Sequence, residues 1–258
     1  MKPQLALLPF LLFLPQQGSK PSSKPSSRPS REQPATPLGA QGSPRALYLA
    51  AKVVQYAGGF ENWDKLRSVA FTFAGRRRLF WDRSTGVVRI EFPPKKGGQE
   101  GPILFYDTNR DRGWALGNKD PRLGQAAKGI FINDFYWLTV PFKVLDPGVQ
   151  LALLPRAPGQ AEGIARLRLR FASVGLTPNN QYVLHVEQKT GRIVRWDFFA
   201  TPKASPRSWT FEGYVEKAGL RFSLLRKNVG KGPSLSFTEL KLNLPRPDGF
   251  LTRGGRIL

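Results

Sequence analysis

The protein has 258 residues and a formal charge of +22, and it contains no Cys, one Met and one His. A chain without Cys has no disulfides, no lipid attached to Cys, no thiolate metal ligands and no Cys nucleophile. With a single His it also lacks the ligands of a recognisable zinc or iron site, so neither a metal nor another cofactor is predicted.

The first 43 residues predict two segments that stand outside a folded core. An apolar run at residues 5–14 is too short to cross a bilayer core of about 30 Å as a helix. Residues 1–18 therefore predict a secretory signal peptide, with an uncleaved anchor as the alternative. Residues 19–43 are rich in Pro, Ser and basic residues and predict a disordered linker, either a basic spacer at an anionic surface or a plain solvated tether.

A single folded domain is predicted for residues 44–258, and it begins with two helices. A Ser-Pro pair at residues 43–44 is typical of a helix start, and apolar residues then recur at helical spacing to Ala57, where two glycines end the helix. A short second helix is predicted at residues 60–66. Alternation of residue types then predicts strands at residues 68–73, 78–82, 86–92, 102–107, 113–116, 148–155, 163–172, 181–187, 192–200, 207–217, 220–229 and 233–243.

An apolar segment, GIFINDFYWLTVPFKVLDPGVQLALL at residues 129–154, interrupts these strands. Pro141 and Pro147 exclude a continuous helix, because proline lacks the amide hydrogen and clashes with the preceding turn. The predicted order is one or two helical turns at residues 121–128, a short helical or irregular piece up to Thr139, an extended piece, a turn at residues 146–148 and a strand from Val149. Exposed aromatic rings gain nothing in water, so we interpret the segment as a lid or plug across a hollow sheet face.

The order of the predicted elements is a helix pair, strands, the apolar interruption and more strands. This order predicts an α+β fold with a single large, strongly curved antiparallel sheet.

Four strings in this sequence resemble a known group of bacterial envelope proteins. They are GGFENW at residues 58–63, DFYWLTVPFKVLDPG at 134–148, GLTPNNQY at 175–182 and TGRIVRW at 190–196. Together they resemble the LolA-like proteins, which are related in fold to outer-membrane lipoprotein carriers. The resemblance covers residues 45–244 and implies an incomplete β-barrel of about eleven antiparallel strands, with short helices closing an apolar cavity. In the carriers that cavity shelters acyl chains.

The aromatic residues provide the predicted binding site. The chain has 18 Phe, 6 Trp and 6 Tyr, more than a sheet backed by two short helices needs for a solid core. Rings that face a hollow need a ligand or a lid, whereas a dry, filled aromatic core is the alternative. The predicted ligand-cavity or lid residues are Phe71, Phe73, Phe135, Tyr136, Trp137, Val140, Phe142 and Trp196. Further rings predicted to line the hollow include Phe80 and Phe105.

The positive charge belongs to the domain as well as to the linker. Residues 45–258 contain 35 basic and 17 acidic side chains, a formal charge of +18. A field of this sign favours anionic partners such as phospholipid heads, envelope glycans or nucleic acid, although a surface adapted only for solubility is the alternative. The predicted anionic head-group contacts are Arg166, Arg168 and Arg170, which alternate with apolar residues on one strand. Arg226 and Lys227 lie near another hairpin end.

No enzyme is predicted from these residues. His185 alternates with Leu184 and Val186, which places it on the opposite face of its strand, and no Ser or Cys elbow accompanies it as a partner for a general base. Neither a GxxxxGK[ST] nor a GxGxxG phosphate-binding loop occurs. The chain also lacks a recognisable nucleic-acid motif, so no specific nucleic acid is predicted as a partner.

Two functional hypotheses follow. The first is non-enzymatic binding of a lipid or an acylated protein in a half-barrel cavity in the bacterial cell envelope or periplasm, as a carrier or chaperone. The second is an envelope scaffold or adhesion module with a filled core, which binds an anionic membrane surface or another polyanion through its basic surface. The sequence predicts no oligomeric state.

Overall fold

The computed structural model describes residues 39–94, 98, 100–171, 179–255 and 257. The predicted signal peptide, the linker as far as residue 38, and the part of the GLTPNNQY string at residues 175–178 lie outside the described residues.

Local sequence features determine where the α-helices of the described chain begin and end. They are α1 (Pro44–Tyr56), α2 (Gly59–Asp64) and α3 (Pro121–Thr139). The hydroxyl of Ser43 accepts a hydrogen bond from the Ala46 amide at 3.3 Å and caps α1. Gly58 follows α1 with a φ of 110°, and a Cβ there would lie only 2.1 Å from the carbonyl oxygen of Gly219. The chain therefore needs glycine at this position to pass from α1 to α2.

The strands of the described residues join into one open sheet. They are β1 (Gln41–Gly42), β2 (Ser68–Phe73), β3 (Arg77–Asp82), β4 (Val87–Glu91), β5 (Ile103–Asp107), β6 (Arg112–Ala115), β7 (Val149–Leu154), β8 (Ile164–Phe171), β9 (Gln181–Glu187), β10 (Ile193–Phe199), β11 (Arg207–Lys217), β12 (Leu220–Asn228) and β13 (Leu235–Leu242). Their order in the sheet is β1-β7-β8-β9-β10-β11-β12-β13-β2-β3-β4-β5-β6. The predicted α+β fold with a single curved sheet is confirmed, with thirteen strands among the described residues rather than the smaller number that the resemblance implied. The sheet is mixed rather than wholly antiparallel, because β1 pairs in parallel with β7.

The end of the predicted linker belongs to this sheet. Gln41–Gly42 pairs in parallel with β7, and the amides of Gly39 and Ala40 both donate to the carbonyl of Leu145 at 3.2 Å. Residues 39–43, which the sequence predicts to be the end of the linker, therefore belong to the folded domain. Pairing with the edge of β7 orders these residues, and composition alone does not predict such pairing.

The apolar interruption is more helical than the sequence predicts. α3 is unbroken as far as Thr139, and the expected extended piece is a 3₁₀ turn at Val140–Phe142 followed by turns up to Val149. Pro141 falls in the 3₁₀ turn, beyond the interior of α3, where its missing amide hydrogen breaks no interior helical bond. Burial of its aromatic side chains stabilises the helix beyond what the weak helix propensity of these residues suggests.

The two faces of the sheet have different coverings. We call the face that carries Phe71, Leu184 and Trp196 the inner face, and the opposite one the outer face. α1, α2 and α3 cover the inner face, and their buried side chains form one continuous core with it. On the outer face, Phe250 near the carboxyl end of the chain packs on Phe80, with ring centroids 5.4 Å apart.

The first half of α3 touches the sheet through its backbone. A Cβ on Gly124 would lie 2.2 Å from the carbonyl oxygen of Gly113 on β6, and a Cβ on Gly113 would lie 2.1 Å from that of Gly124. Only glycine at both positions allows the helix to approach this strand so closely. No helix in the described part of the chain combines the length and the apolar character that a bilayer-spanning helix needs.

Candidate functional site

α3 lies on the inner face and directs aromatic side chains at strands from both halves of the sheet. Phe135 meets Phe71 of β2 edge to face, with ring centroids 4.9 Å apart. Trp137 lies 4.2 Å from Trp196 of β10 and 4.9 Å from Trp209 of β11, measured between ring centroids. The helix therefore covers one aromatic surface that extends across the sheet.

Tyr136 extends this contact along the sheet. Its ring centroid lies 5.9 Å from that of Trp196 and 5.5 Å from that of Tyr182. Burial, with Tyr182 and Asp146 as smaller causes, raises the pKa of Tyr136 well above its usual range, so the phenol is neutral. Its hydroxyl is buried and has no hydrogen-bond partner among the described residues.

The 3₁₀ turn after α3 inserts into the same core. Phe142 stacks on Trp63 of α2 with ring centroids 4.6 Å apart and an interplanar angle of 12°, and Val140 is fully buried. On the sheet, Phe73 is buried against Phe237, with centroids 5.5 Å apart. The structure thus brings all eight predicted ligand-cavity or lid residues into one core.

These rings contact one another, so the α3 side chains occupy the space that a ligand would need. Two surface pockets, of about 310 and 380 Å³, lie elsewhere, beside the β7–β8 hairpin and on the outer face at Trp114. The prediction for Phe80 and Phe105 is wrong, because both side chains point to the outer face, where each ring contacts Phe250.

A buried ion pair fixes the middle of α3 to β3. Asp134 is fully buried and accepts two hydrogen bonds from Arg77, at 2.5 and 2.8 Å, and a third from the Asn133 amide at 2.8 Å. Burial raises the pKa of Asp134 above its usual value, while the hydrogen bond and charge of Arg77 oppose that rise. The paired guanidinium satisfies a carboxylate that the core would otherwise leave without solvent.

A second arginine contacts the end of α3 from β12. Arg226 is fully buried and donates to the carbonyl of Trp137 at 2.7 Å and to the carbonyl and hydroxyl oxygens of Ser223 at 2.8 and 2.6 Å. Its guanidinium carbon lies 3.6 Å from the ring centroid of Phe211. Burial lowers the pKa of Arg226 to about 9, so the group is still charged at neutral pH. The positive charge faces the carbonyl end of a helix, which carries partial negative charge.

Neither Arg226 nor Asp134 is among the site residues predicted from the sequence. The sequence does indicate the orientation of Arg226, because this residue follows Leu220, Phe222 and Leu224 at intervals of two on one strand. That alternation places its side chain with the apolar residues of the inner face. Asp134 had no comparable signal, since its burial depends on contact with another element.

Arg166, Arg168 and Arg170, which we call the arginine row, lie on the outer face. Their neighbours Leu167 and Leu169 are fully buried on the inner face, so a ligand beneath α3 is separated from the arginine row by the sheet itself. Arg166 donates to the Pro155 carbonyl at 3.2 Å, and Arg170 donates to the Gln181 side chain at 2.9 Å.

Within the described chain, no carboxylate forms an ion pair with the arginine row. Burial, together with the charge of Arg170, lowers the pKa of Arg168. The row therefore presents guanidinium groups whose charge is not neutralised by a neighbouring side chain, which suits an anionic partner.

His185 also lies on the outer face, beside the arginine row, and it has a carboxylate partner. Its Nε2 lies 2.7 Å from Asp197, whose other oxygen accepts hydrogen bonds from Arg195 at 2.7 Å and Ser208 at 2.6 Å. Burial opposes ionisation of Asp197, but the hydrogen bonds from His185, Ser208 and Arg195 outweigh it and lower the pKa of this carboxyl to about 2. Ser208 donates to the carboxylate and not to His185, an arrangement that does not activate a serine nucleophile.

No protein-family model matches this sequence, and no curated protein matches it. Solved structures that are similar to the chain include a LolA superfamily protein from Nitrosomonas europaea, with 13% identity, 76% of this chain and 94% of that chain covered, and a TM-score of 0.41. A domain assigned to the outer membrane lipoprotein-sorting proteins, from Vibrio parahaemolyticus, has 11% identity, coverage of 78% and 97%, and a TM-score of 0.41. A DUF1329 family protein from Desulfovibrio piger has 10% identity, coverage of 81% and 97%, and a TM-score of 0.43.

Proposed function

We propose that the protein binds the acyl chain of a lipid or an acylated protein on the inner face beneath α3, as a carrier or chaperone of the bacterial cell envelope. The observation that supports this function is the way α3 covers the aromatic surface. Besides the close backbone approach of Gly124 to Gly113, the helix is joined to the sheet by ring contacts, the Arg77–Asp134 ion pair and the hydrogen bond from Arg226 to the Trp137 carbonyl. Contacts of this kind break and re-form without unpairing any strand.

A long acyl chain would supply a large part of the free energy of such an exchange. Burial of one methylene group contributes about 0.8 kcal/mol, so a long chain contributes on the order of 10 kcal/mol. This contribution would offset the loss of ring–ring contacts between α3 and the sheet.

The sequence supports the proposed location. The apolar run at residues 5–14 is typical of an export signal, and the basic residues 19–38 would keep the domain near anionic lipid or cell-wall polymer.

Two tryptophan substitutions on opposite faces of the sheet test the proposed site. Trp137 faces the inner face from α3, whereas Trp114 stacks on Phe105 on the outer face. Uptake of a fatty-acyl lipid that carries its own fluorophore is measured in the full chain through the change in emission of the lipid. We expect Trp137→Asp to abolish uptake while the sheet stays folded by circular dichroism, and Trp114→Asp to retain it. Undiminished uptake by a folded Trp137→Asp protein would contradict the assignment of α3 as the lid.

A second candidate function is supported by a separate observation. The arginine row has no carboxylate ion-pair partner among the described residues and faces away from the helices, which favours a scaffold or adhesion role on an anionic envelope surface. Counterion release makes binding of this kind fall steeply with salt. Binding to anionic vesicles that disappears in high salt, with no uptake of acyl chains, would support this role over the first.

A further inference from the structure

Arg226 carries a positive charge that no carboxylate of the described chain balances. It is fully buried, and no Asp or Glu among the described residues lies within ion-pair distance of it; its partners are neutral oxygens of Ser223 and Trp137. Its Nε–H is buried and has no hydrogen-bond partner among the described residues. A buried charge without an opposite charge is expensive, and an apolar residue of the same volume would often be no less stable. An anion from outside the described chain would therefore stabilise the buried guanidinium of Arg226.

Two further buried donors in the same aromatic core also lack partners. The indole N–H of Trp196 and the hydroxyl of Tyr136 form no hydrogen bond within the described residues. The ring centroid of Trp196 is 5.9 Å from that of Tyr136 and 6.3 Å from that of Phe211, the ring that the Arg226 guanidinium contacts. Arg and Trp side chains donate only, and a neutral Tyr can donate. The common complement of these three groups is an acceptor-rich, negatively charged group.

We propose that the site beneath α3 is specific for the carboxylate of a long-chain fatty acid, with Arg226 as its counter-ion and Trp196 and Tyr136 as additional donors. This inference rests on the proposed function and adds the chemical class of the head group. When α3 moves away, the hydrogen bond from Arg226 to the Trp137 carbonyl is lost, and the carboxylate oxygen takes the place of that carbonyl. Loading and displacement of the helix are therefore coupled through one guanidinium.

The charge balance favours a carboxylate over a phosphate monoester and over a neutral head group. One guanidinium supplies one positive charge, which matches a carboxylate monoanion and gives a charge-assisted, bidentate geometry. A phosphate monoester is close to a dianion at neutral pH and would leave negative charge uncompensated in an aromatic core. A neutral alcohol or methyl ester would leave the guanidinium without a counter-ion.

Three single-chain ligands of equal length test this specificity at pH 8, namely tetradecanoate, tetradecanol and tetradecyl phosphate. Their dissociation constants for the full chain are measured by displacement of a fluorescent acyl ligand. We expect tetradecanoate to bind at least about tenfold more tightly than tetradecanol, because hydrogen bonds to a charged group are stronger than neutral ones. Arg226→Met should bring the tetradecanoate constant to that of the alcohol, whereas Arg221→Met, at an exposed position on the same strand, should keep the preference.

The outcomes separate this inference from the proposed function. If no ligand binds to the folded protein, both fail. If acid and alcohol bind equally to the unmodified chain, the head-group inference fails and the acyl-binding function stands. Tighter binding of the alkyl phosphate would also overturn the carboxylate assignment. If Arg226→Met does not fold, Trp196→Phe tests the site instead, because this variant removes one donor that has no partner and keeps an aromatic ring. We expect Trp196→Phe to reduce the preference for tetradecanoate over tetradecanol about threefold. An unchanged preference would count against the site.

Discussion

Arg77 on β3 forms a bidentate ion pair with Asp134, a fully buried carboxylate in α3, at 2.5 and 2.8 Å. Arg77 itself is only 19% exposed, so solvent screens this pair weakly. The pair joins the middle of the helix to one half of the sheet, while Arg226 joins the end of the helix to the other half. The position of α3 therefore depends on two arginines that approach it from different strands.

Loss of the Arg77 side chain should lower the free energy of unfolding. Arg77→Met leaves the Asp134 carboxylate buried without its partner, and breaking a buried pair in this way costs about 3–5 kcal/mol. Urea unfolding of the full chain measures the change in the free energy of unfolding. Arg78→Met is the matched control, because Arg78 is exposed and its nearest carboxylate, on Glu239, lies 3.8 Å away. We expect the control to change stability by less than about 0.5 kcal/mol. Equal effects of the two substitutions would refute the role given to the buried pair.

A methyl group at the contact between α3 and β6 should loosen the helix. Gly124→Ala places a Cβ against the backbone of Gly113, which cannot rotate away as a side chain can. Overpacking of this kind costs about 1–3 kcal/mol. Hydrogen exchange of the α3 amides should become faster in this variant, whereas Gln125→Ala, at an exposed position of the same turn, should leave it slow. Unchanged exchange in Gly124→Ala would mean that the helix does not depend on this close approach.

Asp197 should make the fold sensitive to acid. Its folded pKa of about 2 lies below its ordinary value of 3.8, so the ionised carboxylate stabilises the folded state above pH 3.8, and this contribution is lost as the pH falls towards 2. Because the side chain is 5% exposed, the contribution is on the order of 2 kcal/mol. Asp197→Asn should therefore lower the free energy of unfolding at pH 6 and match the unmodified protein near pH 2. A stability difference that stays constant across this range would show that the charge of Asp197 is not the cause.

Removal of the arginine row should weaken binding to anionic vesicles. Replacing Arg166, Arg168 and Arg170 by Gln lowers the local charge by three, and each basic group near an anionic surface contributes about 1 kcal/mol. Co-sedimentation with vesicles at low salt compares this variant with one in which the exposed Lys119, Lys203 and Lys217 are replaced by Gln. Both variants have the same net charge. A similar loss of binding in both would mean that total charge, and not the row, determines the attraction.

Much of the fold follows from local patterns in the sequence. The period-two alternation in β8 and β9 predicts both the strands and the faces of their side chains, because one face is apolar and the other is polar. In β2 to β5, residues on both faces are buried, so alternation does not distinguish them. This explains why Phe80 and Phe105 could not be assigned to the outer face, since the covering Phe250 is distant in sequence.

The candidate site was predictable only in part. The aromatic string at residues 134–142 indicates a buried covering segment whatever its secondary structure, and the structure places its rings on Phe71 and Trp196. The length of α3 depends on that burial and not on local propensity. The pairing of Asp134 with Arg77 joins residues 57 positions apart, and single-sequence patterns contain no information on such contacts.

Native mass spectrometry of the full chain, purified without detergent, tests whether the inner face takes an acyl ligand. The spectrum is recorded before and after addition of a long-chain lipid, and any bound species is extracted into solvent and identified. We predict a protein peak with an added mass that proves to be a fatty acid or another acylated molecule, and loss of that mass in Trp137→Asp. A folded protein that carries no added mass and takes up none when lipid is supplied would contradict the account, since the aromatic core would then be permanently filled by α3.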